Sequence, residues 1–175
     1  MTDFDFIALD FETANGDGYS ACQLAMIGVK GGIVREKFSE YICPPSDYFR
    51  FTDVHQITYA DVQYEKTFRQ LYFDIDNFVS RSDYLIAHNM PFDRRVFLAC
   101  CDYYGLPRPE KEWACTVQIG RKVWPKPSVV LNHKLGTLCR HFNIQLKHHD
   151  ALSDTKAVVE LVLQSQRDGW LAPWL

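Results

Sequence analysis

The chain is 175 residues long, 47% hydrophobic and 23% charged, with a net charge of −3. That length allows one domain built on one sizeable core, residues 1–175, and excludes a second catalytic domain. No apolar stretch is long enough to span a bilayer and Met1 opens no charged-then-apolar leader, so the expectation is a soluble protein of the cytoplasm with no membrane partner. The six cysteines (Cys22, Cys43, Cys100, Cys101, Cys115 and Cys139) show no Cys-x-x-Cys spacing and read as reduced, mostly buried thiols.

Phe4 to Asp10 is short, rich in β-formers and apolar on both faces, which predicts a buried central strand. Gln23–Lys30 and Ile33–Ile42 flank Gly31-Gly32, a hairpin turn between two further strands. Tyr64–Arg81 places Phe68, Leu71, Tyr72, Ile75, Phe78 and Val79 at helical spacing. Tyr84–His88 predicts a fourth strand, Pro91 opens a helix to about Tyr104, and Glu112–Thr116 predicts a fifth strand. Two more helices, about Leu135–Phe142 and about Ala151–Gln166, are joined by a loop carrying Lys147-His148-His149. Three antiparallel strands followed by alternating helices and strands make a mixed α/β sheet with helices on both faces, an order that suits a ribonuclease H-like architecture.

Asp10 and Glu12 stand two apart at the end of the first predicted strand, so their side chains leave the same face. Such neighbours repel unless a cation lies between them, although Asp-x-Glu alone is also the pattern of a polar turn. Asp93 falls in the first turn of its helix, where the dipole favours a carboxylate whatever its role. His149 and Asp154 would lie about 140° apart on a continuous helix, so they converge only if His149 sits in the loop before it. Taken together, four carboxylates and one histidine point to phosphodiester chemistry. Oxygen ligands without cysteine favour Mg²⁺ or Mn²⁺ over zinc. Two such ions can orient a water and stabilise the leaving oxygen. A neutral His149 could take the proton from that water, since an unperturbed imidazole titrates near pH 6.5, roughly working pH.

The negative net charge conflicts with nucleic-acid binding until its distribution is considered. Trp113 to His149 contains no Asp or Glu, while Arg121, Lys122, Lys126, Lys134, Arg140 and Lys147 all fall inside it. A solvated helix face could produce such a run by chance, but this run ends on His149.

At these residues the chain resembles the DEDDh 3′-to-5′ exonucleases, in particular the stand-alone enzymes related to the proofreading epsilon subunit of bacterial DNA polymerase III. The resemblance runs from Phe6 to about Leu163 and rests on three motifs in order: Asp10-Phe11-Glu12-Thr13, Ala87-His88-Asn89 with Phe92-Asp93, and His149 with Ala151 and Asp154. It implies that Asp10, Glu12 and Asp154 hold one metal, that Asp10 bridges to a second held by Asp93 through water, and that His149 is the general base. It also implies that the Thr13 backbone meets the terminal 3′ hydroxyl. Phe11, Thr13, His55, Asn89 and Phe92 are the expected substrate-contacting residues. Two departures stand out. Val54-His55-Gln56-Ile57-Thr58 has glutamine where relatives have glycine, so the turn lacks glycine's freedom at positive φ. Met90-Pro91 replaces a small residue and reshapes the pocket wall.

Phe11, Tyr19 and Phe92 could stack on the terminal base, although core packing accounts for most aromatics in a chain where they make up 14%. His133 and His141 read as surface residues. The tail, Gly169 to Leu175, reads as docked on its own domain, with a peptide for a polymerase or other DNA-metabolism partner as the alternative. The expected activity is release of nucleoside 5′-monophosphates from 3′ ends, with DNA favoured and RNA the alternative. A catalytically silent nucleic-acid-binding module is the rival from another class. Retention of all five site residues argues against it, because a silent copy has no chemical need for them.

Overall fold

The protein's structure, a computed structural model, describes residues 2–174. Five strands and seven helices follow in chain order: β1 (Phe6–Thr13), β2 (Ala21–Lys30), β3 (Ile33–Tyr41), α1 (Thr52–His55), α2 (Tyr59–Val62), α3 (Phe68–Val79), β4 (Tyr84–Ala87), α4 (Met90–Tyr104), β5 (Glu112–Cys115), α5 (Thr116–Val123), α6 (Leu135–His141) and α7 (Ala151–Arg167). The sheet order is β3-β2-β1-β4-β5. β1 to β3 pair antiparallel, whereas β4 runs parallel to β1 and β5 parallel to β4. The mixed sheet expected from the sequence is present, with β1 at its centre.

Because β1 is central, both its faces are covered, and strand alternation divides it. Ile7, Leu9 and Phe11 pack with Phe68, Leu71 and Ile75 of α3 and Phe97 of α4. Phe6 and Ala8 pack instead with Val158, Val159 and Val162 of α7. Asp10 and Glu12 continue the second series, so the strand's period of two directs them to the α7 face.

Gly31 and Gly32, at φ 59° and 72°, make the turn between β2 and β3. This left-handed pair is the geometry a two-residue hairpin requires. The third helix begins later than the periodicity predicts. Thr67 and Gln70 cap each other reciprocally, fixing the start at Phe68 and leaving Tyr64 outside, 92% exposed.

Three short helices were not expected. α1 and α2 have only four residues each, too short for periodicity to reveal. α5 has β-branched residues and Gly120, which weaken its local helical signal. Gly120 fits there because an added Cβ would lie 3.2 Å from both His133 and Trp124.

All six cysteines are free and only Cys43 is not buried, as expected. No helix among the described residues is long and apolar enough to cross a membrane. In the tail, the Trp174 ring packs against Phe6 at 5.1 Å and Tyr84 at 5.2 Å, so Trp174 covers its own sheet.

Candidate active site

The sheet, α4 and α7 bring Asp10, Glu12, Asp93 and Asp154 together at one end of β1. Asp10, Glu12 and Asp154 each offer a ligand oxygen, and these atoms lie within 4.8 Å of one another. Asp93 approaches from α4, and its Oδ1 accepts a hydrogen bond from the Phe11 backbone N–H at 3.0 Å. Glu12, Asp93 and Asp154 are buried, at 8%, 1% and 4% exposure. Asp154 Oδ1 is buried with no hydrogen-bond partner among the described residues.

Burial first, and mutual repulsion second, push these carboxyls up. Asp10 rises well above the ordinary range, through desolvation and then Asp93, Asp154, Glu12 and Asp150. Asp93 also rises well above it, driven by burial and opposed by the Phe11 hydrogen bond. Glu12 is pushed up to about 7, by burial and then by Asp154 and Asp150. Asp154 is raised by burial, against the hydrogen bond from His148. Among the described residues no Lys or Arg forms an ion pair with any of the four. A dense set of buried oxygen donors, one of them orphaned, fits a hard divalent cation.

His149 lies outside α7, as convergence required. Asp150 is the helix N-cap, its side chain accepting from the Ser153 N–H. The His149 backbone N–H reaches Asp154 Oδ2 at 3.3 Å. Burial and the neighbouring His148 push the His149 imidazole below its usual value, which favours the neutral ring.

A cleft of about 300 Å³ opens over this cluster, lined by Asp10, Glu12, Thr13, His55, Phe92 and His149 among others. Of the expected substrate contacts, Phe11, Thr13, His55 and Phe92 all line this cleft. Phe11 differs in its ring, which is 2% exposed and meets Phe97 at 5.9 Å, so its aromatic face belongs to the core and its backbone N–H serves the site. Tyr19 stacks on Tyr103 at 4.5 Å and is not among the cleft residues. Asn89, at φ 66°, lines a neighbouring groove instead.

The glutamine departure near His55 leaves the turn intact. Gln56 adopts φ 64° and caps α1 in the left-handed region although it is not glycine. His55 Nδ1 accepts from the Ile57 N–H at 3.0 Å, so Nε2 donates to the Thr13 carbonyl at 3.1 Å.

The basic run is only partly assembled. Arg121, Lys126 and Lys134 share a groove of about 480 Å³ with His88, Asn89, His133, Leu135 and His148, and no Asp or Glu lines it. His88, Leu135 and His148 also line the cleft, so the two spaces share a wall. Lys122 lies outside the groove's lining, and Lys147 pairs with Asp150 at 3.4 Å.

Three residues gain importance that motif spacing did not give them. His148 Nδ1 bonds Asp154 Oδ2 at 2.9 Å. His88 bonds Thr116 Oγ1 at 2.8 Å, and burial pushes its imidazole down to about 4. Asp150 raises both Asp10 and Glu12. His88 stood inside the second motif without an assigned role, and adjacency to the third motif was the only signal for His148 and Asp150.

A profile of the RNase_T exonuclease family matches residues 7–162. Among curated relatives, the PolC-type DNA polymerase III of Halalkalibacterium halodurans is 27% identical over 175 residues, covering 96% of this chain but 12% of the polymerase. Exodeoxyribonuclease 10 of Escherichia coli is 29% identical over 172 residues, covering 94% of this chain and 70% of that enzyme. Exonuclease X, solved with 5′ overhanging duplex DNA, superposes with a TM-score of 0.76 at 24% identity, over 95% of each chain. The nuclease domain of 3′hExo, a DEDDh family member bound to rAMP, gives 0.80 at 15% identity, over 95% of this chain and 94% of that one. These structural likenesses show the shared fold. With the family profile spanning β1 to α7, the chain belongs to the RNase_T exonuclease family.

Proposed function

We propose that the chain is a divalent-cation-dependent 3′-to-5′ exonuclease that releases nucleoside 5′-monophosphates from single-stranded or frayed DNA. The observation that carries this reading is the buried, mutually repelling set of Asp10, Glu12, Asp93 and Asp154, with His149 at its mouth. Asp10, Glu12 and Asp154 would hold one ion, and Asp10 with Asp93 a second. Mg²⁺ or Mn²⁺ held there would supply positive charge to the phosphodiester and lower the pKa of a water.

The chain's own groups do the rest. Neutral His149 accepts the water's proton on its imidazole. Thr13, Phe92 and the His55 turn form the wall against which the terminal nucleotide is placed, and the His55–Thr13 bond fixes that wall. Arg121, Lys126 and Lys134 attract the phosphates behind the terminus. DNA is favoured because exodeoxyribonuclease 10 and a DNA polymerase are similar over most of this chain. RNA is the alternative, since a 3′-exonuclease solved on a histone mRNA stem-loop shares the fold, with a TM-score of 0.78. Polymerase association is supported only by the PolC-type relatives, most of whose length has no counterpart here.

The test is digestion of matched 5′-labelled single-stranded DNA, mismatched duplex DNA and RNA with Mg²⁺ or Mn²⁺, with a closed single-stranded circle as control. Stepwise shortening that chelation abolishes is expected, with DNA shortened fastest. Rapid cutting of the circle would overturn the exonuclease reading.

A further inference from the structure

The two oxygens of Asp154 have different surroundings. Oδ2 accepts from His148 Nδ1 at 2.9 Å and from the His149 backbone N–H at 3.3 Å. Oδ1 is buried and has no hydrogen-bond partner among the described residues. A bare carboxylate oxygen in a buried site costs free energy unless a cation meets it.

The loop geometry makes this division. Consecutive side chains of an extended chain point to opposite sides. His149 instead takes φ 65°, in the left-handed region. The two imidazoles stack with centroids 3.9 Å apart and planes within 17°. His148 therefore touches both a carboxylate of the cluster and the face of His149, while its own side chain stays 48% exposed. With Asp154 ionised, Nδ1 of His148 must be the donor.

We propose that His148 is a positioning residue, which pins Oδ2 of Asp154 so that Oδ1 stays free for a cation shared with Asp10 and Glu12, and which braces the His149 ring. This role rests on the reading of the cluster as a divalent-cation site. Partners that orient a metal-binding carboxylate typically change metal affinity by about 10–100-fold when removed.

The experiment measures Mn²⁺ binding without substrate, by calorimetry or by the loss of the free-ion paramagnetic resonance signal. Wild type, His148→Ala and His148→Asn are compared. The alanine variant should bind Mn²⁺ about ten-fold or more weakly. The asparagine variant, whose carboxamide N–H can reach Oδ2, should recover most of the loss. At saturating cation, kcat of His148→Ala should fall less than kcat of His149→Ala. Unchanged Mn²⁺ affinity in His148→Ala, beside a wild type that binds, overturns the positioning role and leaves the cation site standing. A wild type that binds no Mn²⁺ overturns both. Loss of turnover with full cation affinity would make His148 itself the base, which also overturns the proposal.

Discussion

Asp93 and Phe11, 82 residues apart, are joined by a buried 3.0 Å hydrogen bond from the Phe11 backbone N–H to Asp93 Oδ1. The bond ties the first turn of α4 to the strand that carries Asp10 and Glu12. It also orients a carboxylate that burial alone would tend to protonate.

Substituting Asp93 separates these two roles. Asp93→Asn keeps an acceptor for the Phe11 N–H and removes one repelling charge, so the cation-free protein should melt at or above the wild-type temperature. Asp93→Ala leaves that N–H unpaired in the core, a cost of about 1–3 kcal/mol. Both variants should lose nearly all exonuclease activity. Thermal melts in chelator, paired with activity assays, check this. An asparagine variant that melts as low as the alanine variant would mean the hydrogen bond adds nothing.

Asp10→Asn and Asp154→Asn should also remove nearly all activity while leaving the fold intact, because relieving carboxylate repulsion stabilises the cation-free protein. Activity above a few per cent in either would show that the cation lies elsewhere.

Cation-free stability should depend on pH in a set direction. The native state holds a proton on Glu12 up to about 7, whereas the unfolded chain releases it near the ordinary 4.5. Between those values the native state binds more protons, so stability falls as pH rises through the window and levels off above it. Asp10 and Asp93 act in the same direction. Melting temperatures in chelator should therefore drop from about pH 5 to about pH 7.5, less steeply in Glu12→Gln, with Mg²⁺ restoring stability most at the alkaline end. A melting temperature that rises over this range would contradict the raised carboxyls.

His149→Ala should lower turnover by about 10²–10⁴-fold and flatten the acid limb of the pH-rate profile. His149 titrates below its usual value, so the wild-type limb attributable to it should lie on the acid side of about 6.5. Pre-steady-state rates at saturating cation measure the effect without interference from metal loading.

The basic groove supplies its own internal control. Arg121→Gln with Lys134→Gln removes two lining cations, whereas Lys122→Gln with Lys147→Gln removes two from the same run that do not line it. The first pair should raise KM with kcat nearly unchanged, and should flatten the log–log salt dependence by about 0.7 per lost contact on a single strand. Equal effects from both pairs would return the whole run to a general surface field.

The sequence by itself determined the central strand, the hairpin and the mixed sheet, and singled out the four carboxylates and His149 as candidates. Those features are written in periods of 2 and 3.6 and in short motifs, and both survive without knowledge of tertiary contacts. Only the tertiary structure decided how those side chains are held. Asp93 finds Phe11 across 82 positions, and Asp154 gives Oδ2 to His148 while its buried Oδ1 has no hydrogen-bond partner among the described residues. The basic run looked uniform along the chain, but α5 and the 125–134 loop put three of its members in one groove. Gln56 and His149 occupy left-handed backbone that residue type alone would argue against, because surrounding hydrogen bonds and packing outweigh a local steric cost of about 1–2 kcal/mol. Local pattern fixes which groups are available, while long-range packing fixes their direction and their partners, which sequence spacing does not encode.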